Sequence, residues 1–330
     1  MITIQKMFHS IYLLSYGVII MKSIVINLTQ KCNAECAHCC FECLPNSSNY
    51  LTDDEIEKIV TYAESHDDVK VVSLTGGEAL LRKNKVIEII ERLSSAGKET
   101  TLISNGFWAA NETITERILS ELKSAGLKYL TISYDDYHAE YIPTSNIKRL
   151  LTVIKKFDID VALNMVVDRQ HSGVDLLKDL GESVFGVRIT MVPASPVGRA
   201  KNLSYDDLYF KTVEELELTC PATGWEFVVH HDGYIYPCCS PSVFESNLRI
   251  GSIAECDIDS LEHRLYSNIL LYILRKEGLR WFIDKMHLDL SQQKFVSSCE
   301  ICKFIFSDME KIKEISDDIK DYYEENFENV

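Results

Sequence analysis

The sequence predicts an α/β protein: an open, partial (βα)6 barrel followed by a smaller, cysteine-bearing C-terminal domain. Three observations predict it. Past Met21, short β-branched runs alternate with amphipathic stretches about six times, the signature of βα units around a parallel sheet. Six units are too few to close an eight-stranded barrel, so the sheet is expected to stay open. From Cys220 the texture changes to a hairpin signal, an apolar helical stretch and a Cys-x2-Cys pair.

The elements follow in order. Residues 1–21 read as an N-terminal extension. Their apolar stretch, Ile11 to Met21, has 11 residues, short of the roughly 20 that span a bilayer. It has Lys6 as the only lysine or arginine before it and no small-x-small cleavage site after it, so neither a membrane span nor a signal peptide is expected. Met21 is an alternative start. Ile24 to Leu28 is the first strand, and Thr52 with Glu55 forms a capping box that opens a helix to about Ser65. Val69 to Thr75 is the second strand; its helix ends near Ala96, with Gly97 following. Thr100 to Ser104 is the third, and the helix from about Thr113 stops at Gly126. Tyr129 to Tyr134, Val161 to Val167 and Val187 to Val192 complete the strands. The intervening helices are Asn146 to Phe157 and Val174 to Leu180, and a last helix is expected over Tyr205 to Leu218. Beyond it, Trp225 to His231, Asp232-Gly233 and Tyr234 to Tyr236 read as a hairpin. A helical stretch over Leu261 to Phe282, Cys299-x2-Cys302 and an acidic helix with a solvated face (Asp317 to Glu328) end the chain. The barrel is thus drawn as 22–218 and the C-terminal domain as 219–330.

Composition narrows the function classes. With 46% apolar and 25% charged residues over 330 positions, the chain is an ordinary globular one. Its 34 basic against 50 acidic side chains leave −16, which argues against nucleic acid as a partner, since that needs clustered Lys and Arg. Eleven cysteines, eight of them in CxxC-type spacings or adjacent pairs, favour reduced, metal-binding thiolates over disulfides, and so a reducing, cytoplasmic location.

The chemistry begins where the first strand ends. Cys32, Cys36 and Cys39 lie on one loop at x3 and x2 spacing and suit three irons of a [4Fe-4S] cluster, whose fourth iron then stays open. A structural zinc site on Cys36, Cys39, Cys40 and Cys43 is the alternative. The other unusual polar residues sort toward the C-terminal rim of the strands, where βα folds place active sites: Thr75-Gly76-Gly77-Glu78, Ser104-Asn105-Gly106, Ser133 with Asp135, Asn164, and Pro193 with Gly198-Arg199-Ala200.

This set resembles the radical S-adenosylmethionine (SAM) superfamily, with its CxxxCxxC loop and its Gly-Gly-Glu motif, over roughly Ser23 to Arg199. The resemblance implies a partial TIM barrel in which Cys32, Cys36 and Cys39 ligate a [4Fe-4S] cluster that chelates SAM. It implies that Glu78 and the Gly76-Gly77 backbone hold the methionine ammonium, that Ser104, Ser133, Asp135 and Asn164 contact carboxylate or ribose, and that His38 flanks the adenine. Ala79 departs from the proline usual after Gly-Gly-Glu, which loosens the turn but removes no ligand.

The C-terminal cysteines look like the auxiliary-cluster (SPASM/twitch) domain of peptide-modifying radical SAM enzymes, in its single-cluster form. The resemblance implies a second [4Fe-4S] cluster on Cys220, Cys238, Cys299 and Cys302, with Cys256 a rival for one place. Cys239 directly follows a ligand of that set, so it is either a spare ligand or a thiol that returns a hydrogen to a carbon-centred radical. The strings His38-Cys39-Cys40-Phe41-x-Cys43, Ile103-Ser104-Asn105-Gly106-Phe107-Trp108, Ile132-Ser133-Tyr134-Asp135-x-Tyr137-His138-Ala139 and His230-His231-Asp232-Gly233-x-Ile235-Tyr236-Pro237-Cys238-Cys239 look like the radical SAM epimerases of epipeptide biosynthesis. That resemblance implies conversion of L- to D-residues, such as valine and isoleucine, in a ribosomal precursor peptide, with Cys239 as hydrogen donor and an external reductant for the clusters. A different radical SAM peptide modification, such as a thioether cross-link or a dehydrogenation, and a non-enzymatic iron-sulfur or zinc protein are the competing readings. Cys40 and Cys43 have no assigned role.

Overall fold

The computed structural model describes residues 22–220 and 226–327. The expected extension 1–21, Trp225 at the start of the hairpin and the last residues of the acidic tail lie outside them. The chain divides into two compact units, one of Ser23–Tyr209 with His230–Asp232, the other of Phe210–Val229 with the chain from Gly233 onward.

The first unit is a sheet in the order β6-β5-β4-β3-β2-β1, flanked by helices. Its strands are β1 (Lys22–Asn27), β2 (Val69–Thr75), β3 (Glu99–Ser104), β4 (Tyr129–Ser133), β5 (Asp160–Val167) and β6 (Arg188–Pro193). Each pairing from β2 to β6 is parallel, with Leu74 opposite Leu102, Leu102 opposite Leu130 and Ile132 opposite Leu163. This is the open, partial βα barrel that the alternation predicts, with all six residues of edge strand β6 exposed. Strands keep one side chain in two buried: Ile24, Ile26 and Leu28 are fully buried, each worth about 1.5–3 kcal/mol of transfer free energy. The helices start and stop on local signals. In α1 (Asp53–Ser65) the Thr52 side chain accepts from Glu55 N, and Glu55 reaches back to Thr52 N at 2.8 Å, as the capping box requires. Helix α2 is Lys83–Ser95; α3 (Glu112–Ala125) is capped by Asn111 and ends at Gly126. Between β4 and β5 come the short α4 (Asp136–Ala139) and α5 (Thr144–Val153); α6 (Val174–Leu180) precedes β6.

The second unit carries an antiparallel set, β7 (Glu226–Val229), β8 (Tyr234–Tyr236) and β9 (Gly251–Ser252), with Val229 opposite Ile235. The hairpin stands as expected, while two helical expectations need correction. Tyr205 to Leu218 is not a helix but two short 3-10 turns, Tyr205–Asp207 and Val213–Glu215. The reason is tertiary: Lys211 gives both its backbone N–H and C=O to Phe295 in an antiparallel bridge, at 2.8 and 2.9 Å, and such a residue cannot serve a helix. The stretch drawn as Leu261 to Phe282 is three helices, α7 (Ile258–Tyr266), α8 (Ile269–Lys276) and α9 (Leu279–Lys285), interrupted by the capping residue Asn268 and by Gly278. Then come α10 (Ser298–Phe306), α11 (Met309–Glu314) and α12 (Ser316–Phe327). The acidic α12 is solvated on one side only, since Tyr323 and Phe327 are buried against Ile269 and Tyr272. Among the described residues no helix is long and apolar enough to cross a membrane.

Candidate active site

The loop after β1 brings its thiols together in a largely apolar environment. Cys32, Cys36 and Cys43 are buried beside Ala34 and Tyr137, with Cys39 packed against them. Burial pushes the Cys32 thiol up to about 11, with Glu78 and Cys39 adding to it. Burial pushes Cys36 higher still, helped by Asp135, Cys32 and Cys39. Buried sulfurs oppose one another's ionisation, Arg199 offsets this only in part, and iron would offset it further, because a metal ligates thiolate. The donor set therefore fits a cluster. It includes Cys32, which the zinc alternative on Cys36, Cys39, Cys40 and Cys43 does not use. None of the eleven cysteines is in a disulfide.

Cys39 differs from its neighbours. The neighbouring Cys43 side chain holds it below the ordinary thiol range against the cost of burial, and the Cys43 backbone N–H donates to Cys39 Sγ at 3.4 Å. The loop is clasped from the end of β6. Arg199 Nε donates to Cys36 O at 3.0 Å, its Nη2 to Cys43 O at 2.8 Å, and its backbone N–H to Cys39 O at 3.0 Å. Gly198 makes this approach possible, since a Cβ there would sit 2.5 Å from Cys40 O and 2.6 Å from Cys39 O.

The Gly-Gly-Glu turn after β2 lies against the start of the same loop. A Cβ on Gly77 would stand 2.4 Å from Lys31 O, and one on Gly76 would stand 2.8 Å from Thr29 O. The Gly77 N–H donates to Thr29 O, and the Glu78 N–H to Lys31 O at 2.9 Å. These glycines thus let two backbones meet; the Gly77 N–H is engaged there, and an ammonium, itself a donor, would be held by backbone carbonyls and Glu78 instead. Glu78 is 1% exposed. Its Oε1 accepts from Leu80 N and Ser104 Oγ, each at 3.0 Å, and its Oε2 from Asn105 N at 2.8 Å. Burial outweighs these donors and raises Glu78 to about 7. A carboxylate has about four acceptor positions, so this one has three filled and room for a cationic donor, which fits an ammonium group. Ser104 also accepts from Trp108 Nε1 at 3.0 Å, and Asn105 Nδ2 points to Cys32 Sγ at 3.7 Å.

The third part of the rim is a buried histidine-carboxylate network. Asp135 caps α4 through the N–H groups of Tyr137 and His138. It also accepts from Val166 N at 3.0 Å and stands 2.9 Å from His138 Nδ1 and 3.3 Å from His38 Nε2. Burial would raise Asp135, but the two histidines outweigh it and hold the carboxyl well below its usual range. With both oxygens engaged, Asp135 orients its neighbours. His38 stacks on Tyr137, with centroids 4.6 Å apart, and its buried Nδ1 has no hydrogen-bond partner, an orphaned polar atom that suits a bound base. Tyr137 in turn donates to Asp168, which also holds His171. Ser133 lies opposite Asn164 in the β4–β5 register, half-buried like its partner, at the C-terminal end of β4.

In the second unit the electrostatics gather four cysteines that the chain spreads over 82 positions. Burial pushes Cys302 well up, and Cys238, Cys220 and Cys299 each push it further. Burial likewise takes Cys238 to about 12, with Cys220 and Cys299 contributing. Cys256 stands apart, its sulfur accepting from Arg264 Nη2 at 3.3 Å. Cys239 is exposed, yet the protein around its sulfur raises the thiol, and so does the Glu226 carboxylate hydrogen-bonded to it. Glu226 Oε1 also accepts the Cys239 backbone N–H at 3.0 Å. Glu226 was missed from the sequence, where it is one acidic residue in an alternating strand. Tyr137 and Cys43 were visible in matching strings, but their roles were not.

Comparisons with known proteins bear on the family and the fold. The radical SAM superfamily profile matches residues 26–188. The putative peptide biosynthesis protein YydG of Bacillus subtilis (strain 168) is 37% identical over 317 residues, 93% of this chain and 98% of its own. The probable GTP 3',8-cyclase of Pyrococcus horikoshii is 37% identical over 150 residues, 43% of this chain and 46% of its own. Among solved structures, Streptococcus suis SuiB bound to S-adenosylmethionine superposes with a TM-score of 0.56 at 16% identity, covering 77% of this chain and 67% of SuiB. The chain anSMEcpe with bound AdoMet and Kp18Cys peptide gives 0.55 at 15% identity, covering 92% and 99%. At such identities the superpositions speak for the fold alone.

Proposed function

The chain belongs to the radical SAM superfamily, and on that premise we propose that it is a peptide epimerase, converting L- to D-residues such as valine and isoleucine in a ribosomal precursor peptide. The similarity to a protein named for peptide biosynthesis over nearly the whole of both chains supports a peptide substrate. The observation that carries the epimerase reading is Cys239, an exposed thiol next to Cys238 of the four-cysteine set, whose S–H form is favoured by the protein packed around its sulfur and by the Glu226 carboxylate. A hydrogen-atom donor has to be a thiol, since a thiolate has no hydrogen to give.

In this reading Cys32, Cys36 and Cys39 hold one [4Fe-4S] cluster in the barrel (22–218). Cys220, Cys238, Cys299 and Cys302 hold an auxiliary one in the C-terminal domain (219–330). Glu78 receives the methionine ammonium, Ser104, Ser133 and Asn164 line the carboxylate and ribose positions, and His38, braced by Asp135 and Tyr137, flanks the adenine. When bound and reduced, the cluster and SAM would supply radical chemistry able to take a hydrogen from a peptide Cα. Cys239 then returns a hydrogen from its S–H to the opposite face of that carbon. The sulfur radical left on Cys239 is reset by one electron and one proton, which sets the need for a reductant.

The test is mass spectrometry of the precursor peptide after turnover. Epimerisation leaves the mass unchanged in ordinary water and adds one deuterium per converted residue in heavy water; a loss of two hydrogens would instead mean cross-linking or dehydrogenation. A Cys239→Ala enzyme that still deposits solvent deuterium at the same Cα would remove the donor assignment.

A further inference from the structure

Strand β6 ends the sheet, and no described strand pairs with its other side. The register fixes which of its backbone groups face outward. Val167 lies opposite Pro193, and the Ala194 N–H closes that end of the β5–β6 ladder onto Val167 O at 2.9 Å. Pro193 has no N–H to give β5, which fits the same phase. Successive residues of a strand turn their N–H and C=O to opposite sides, so Arg188, Thr190 and Val192 serve β5, while Ile189, Met191 and Pro193 present theirs to the open edge. All six residues are exposed, Met191 by 43% and Val192 by 44%. Edge strands are commonly blunted against pairing by lysine, a proline or a bulge. Ile189-Thr190-Met191-Val192 carries none of these, and Arg188 and Pro193 stand only at its two ends. One face of the strand also belongs to the site. Thr190 lies opposite Asn164 and Val192 opposite Val166, so their side chains share the face that carries Asn164. Past Pro193 the chain runs on to Arg199, which clasps the cysteine loop.

We propose that the open edge of β6 is where the precursor peptide docks, adding to the sheet as one more strand whose backbone pairs with Ile189, Met191 and Pro193. The edge offers backbone donors and acceptors at strand spacing, a pattern that an extended main chain matches and a helix does not. Valine and isoleucine favour that extended form. The inference rests on the substrate being a peptide and is independent of which bond in it is altered.

The test has two arms on the full-length, reconstituted enzyme. Hydrogen exchange, resolved to single amides by electron-transfer fragmentation, is followed with and without the precursor peptide. The Ile189 and Met191 amides are expected to exchange fast in the free protein and to slow by about tenfold or more with peptide, while those of Thr190 and Val192 are slow throughout. Binding of the fluorescein-labelled peptide is then compared for Met191→Pro and Met191→Ala. Proline is tolerated on an edge strand where its missing N–H faces solvent, so the β5–β6 ladder survives and the alanine variant controls for the lost side chain. With circular dichroism unchanged, the proline variant is expected to bind about tenfold more weakly than the alanine one, the worth of one hydrogen bond left unmade. The exchange arm needs no variant and stands should the proline variant fail to fold. Equal affinities of the two variants, or unchanged exchange at Ile189 and Met191 while the wild type still converts the peptide, overturn the proposal and leave the peptide substrate intact. Slow exchange at both amides in the free protein overturns it too, since the edge would already be covered, by a second copy if the slowing grows with protein concentration. A wild type that neither binds nor converts the peptide removes the peptide reading and this docking with it.

Discussion

Removing the Arg199 clasp should loosen the cluster loop without removing a ligand. Arg199→Ala deletes two hydrogen bonds from a charged donor, to Cys36 O and Cys43 O, and leaves the backbone bond to Cys39 O in place. Hydrogen bonds to charged groups are worth about 1.5–3 kcal/mol each, and Arg199 is half-buried, so the low end applies: about 3 kcal/mol for the pair, or roughly two orders of magnitude in the loop's opening equilibrium. Arg199→Lys keeps the charge but has no fork to span both carbonyls, and should recover one bond, leaving about a tenfold effect. The assay is the rate at which a strong iron chelator bleaches the SAM-responsive cluster signal of the reconstituted enzyme under anaerobic conditions. Bleaching of the Ala variant within threefold of wild type would refute the clasp.

Three further outcomes are expected. Glu78 is raised from its ordinary 4.5 to about 7, so the stability tied to its neutral form is complete below about 4.5 and lost as pH rises through 7; SAM, whose ammonium needs the ionised form, should bind about tenfold more weakly per pH unit below 7. A flat affinity from pH 5.5 to 8, measured by calorimetry on the loaded protein, would take the ammonium site away from Glu78, while Glu78→Gln should flatten the profile at low affinity. Gly77→Ala drives a Cβ into the Lys31 carbonyl at 2.4 Å, backbone against backbone, and should abolish the SAM-responsive signal, whereas Gly97→Ala, with φ +76 and open space, should cost only about 1 kcal/mol of stability. Glu226→Gln removes a negative charge that raises Cys239, so iodoacetamide should label Cys239 severalfold faster at pH 8.5; an unchanged rate would mean that the protein packed around the sulfur holds the thiol without Glu226.

Much of the fold was legible because its signals are local. The Thr52–Glu55 box, the Asn111-capped helix and strand β2 at Val69–Thr75 depend on residues within a few positions of one another. The errors came where distant chain intervened. Tyr205 to Leu218 has helical composition, but Phe295 claims the backbone of Lys211. The site divides the same way. The cysteine spacing on the first loop was readable, while the close approach of Lys31 that Gly77 admits was not.

The sequence by itself determined the alternation of strands and helices, the rim on which the polar residues gather, and the three-cysteine loop, because each is written in spacing along the chain. Only the tertiary structure decided which of those groups remain available. It committed Asp135 to two histidines, left one ring nitrogen of His38 orphaned, and put Glu226 on Cys239, 13 residues away across a hairpin. It closed Arg199 onto Cys36 across 163 residues and gathered Cys220, Cys238, Cys299 and Cys302. The physical reason is range: periodicity and capping act over a turn or two, whereas a buried charge or thiol is set by whichever groups the folded chain brings within a few ångströms of it.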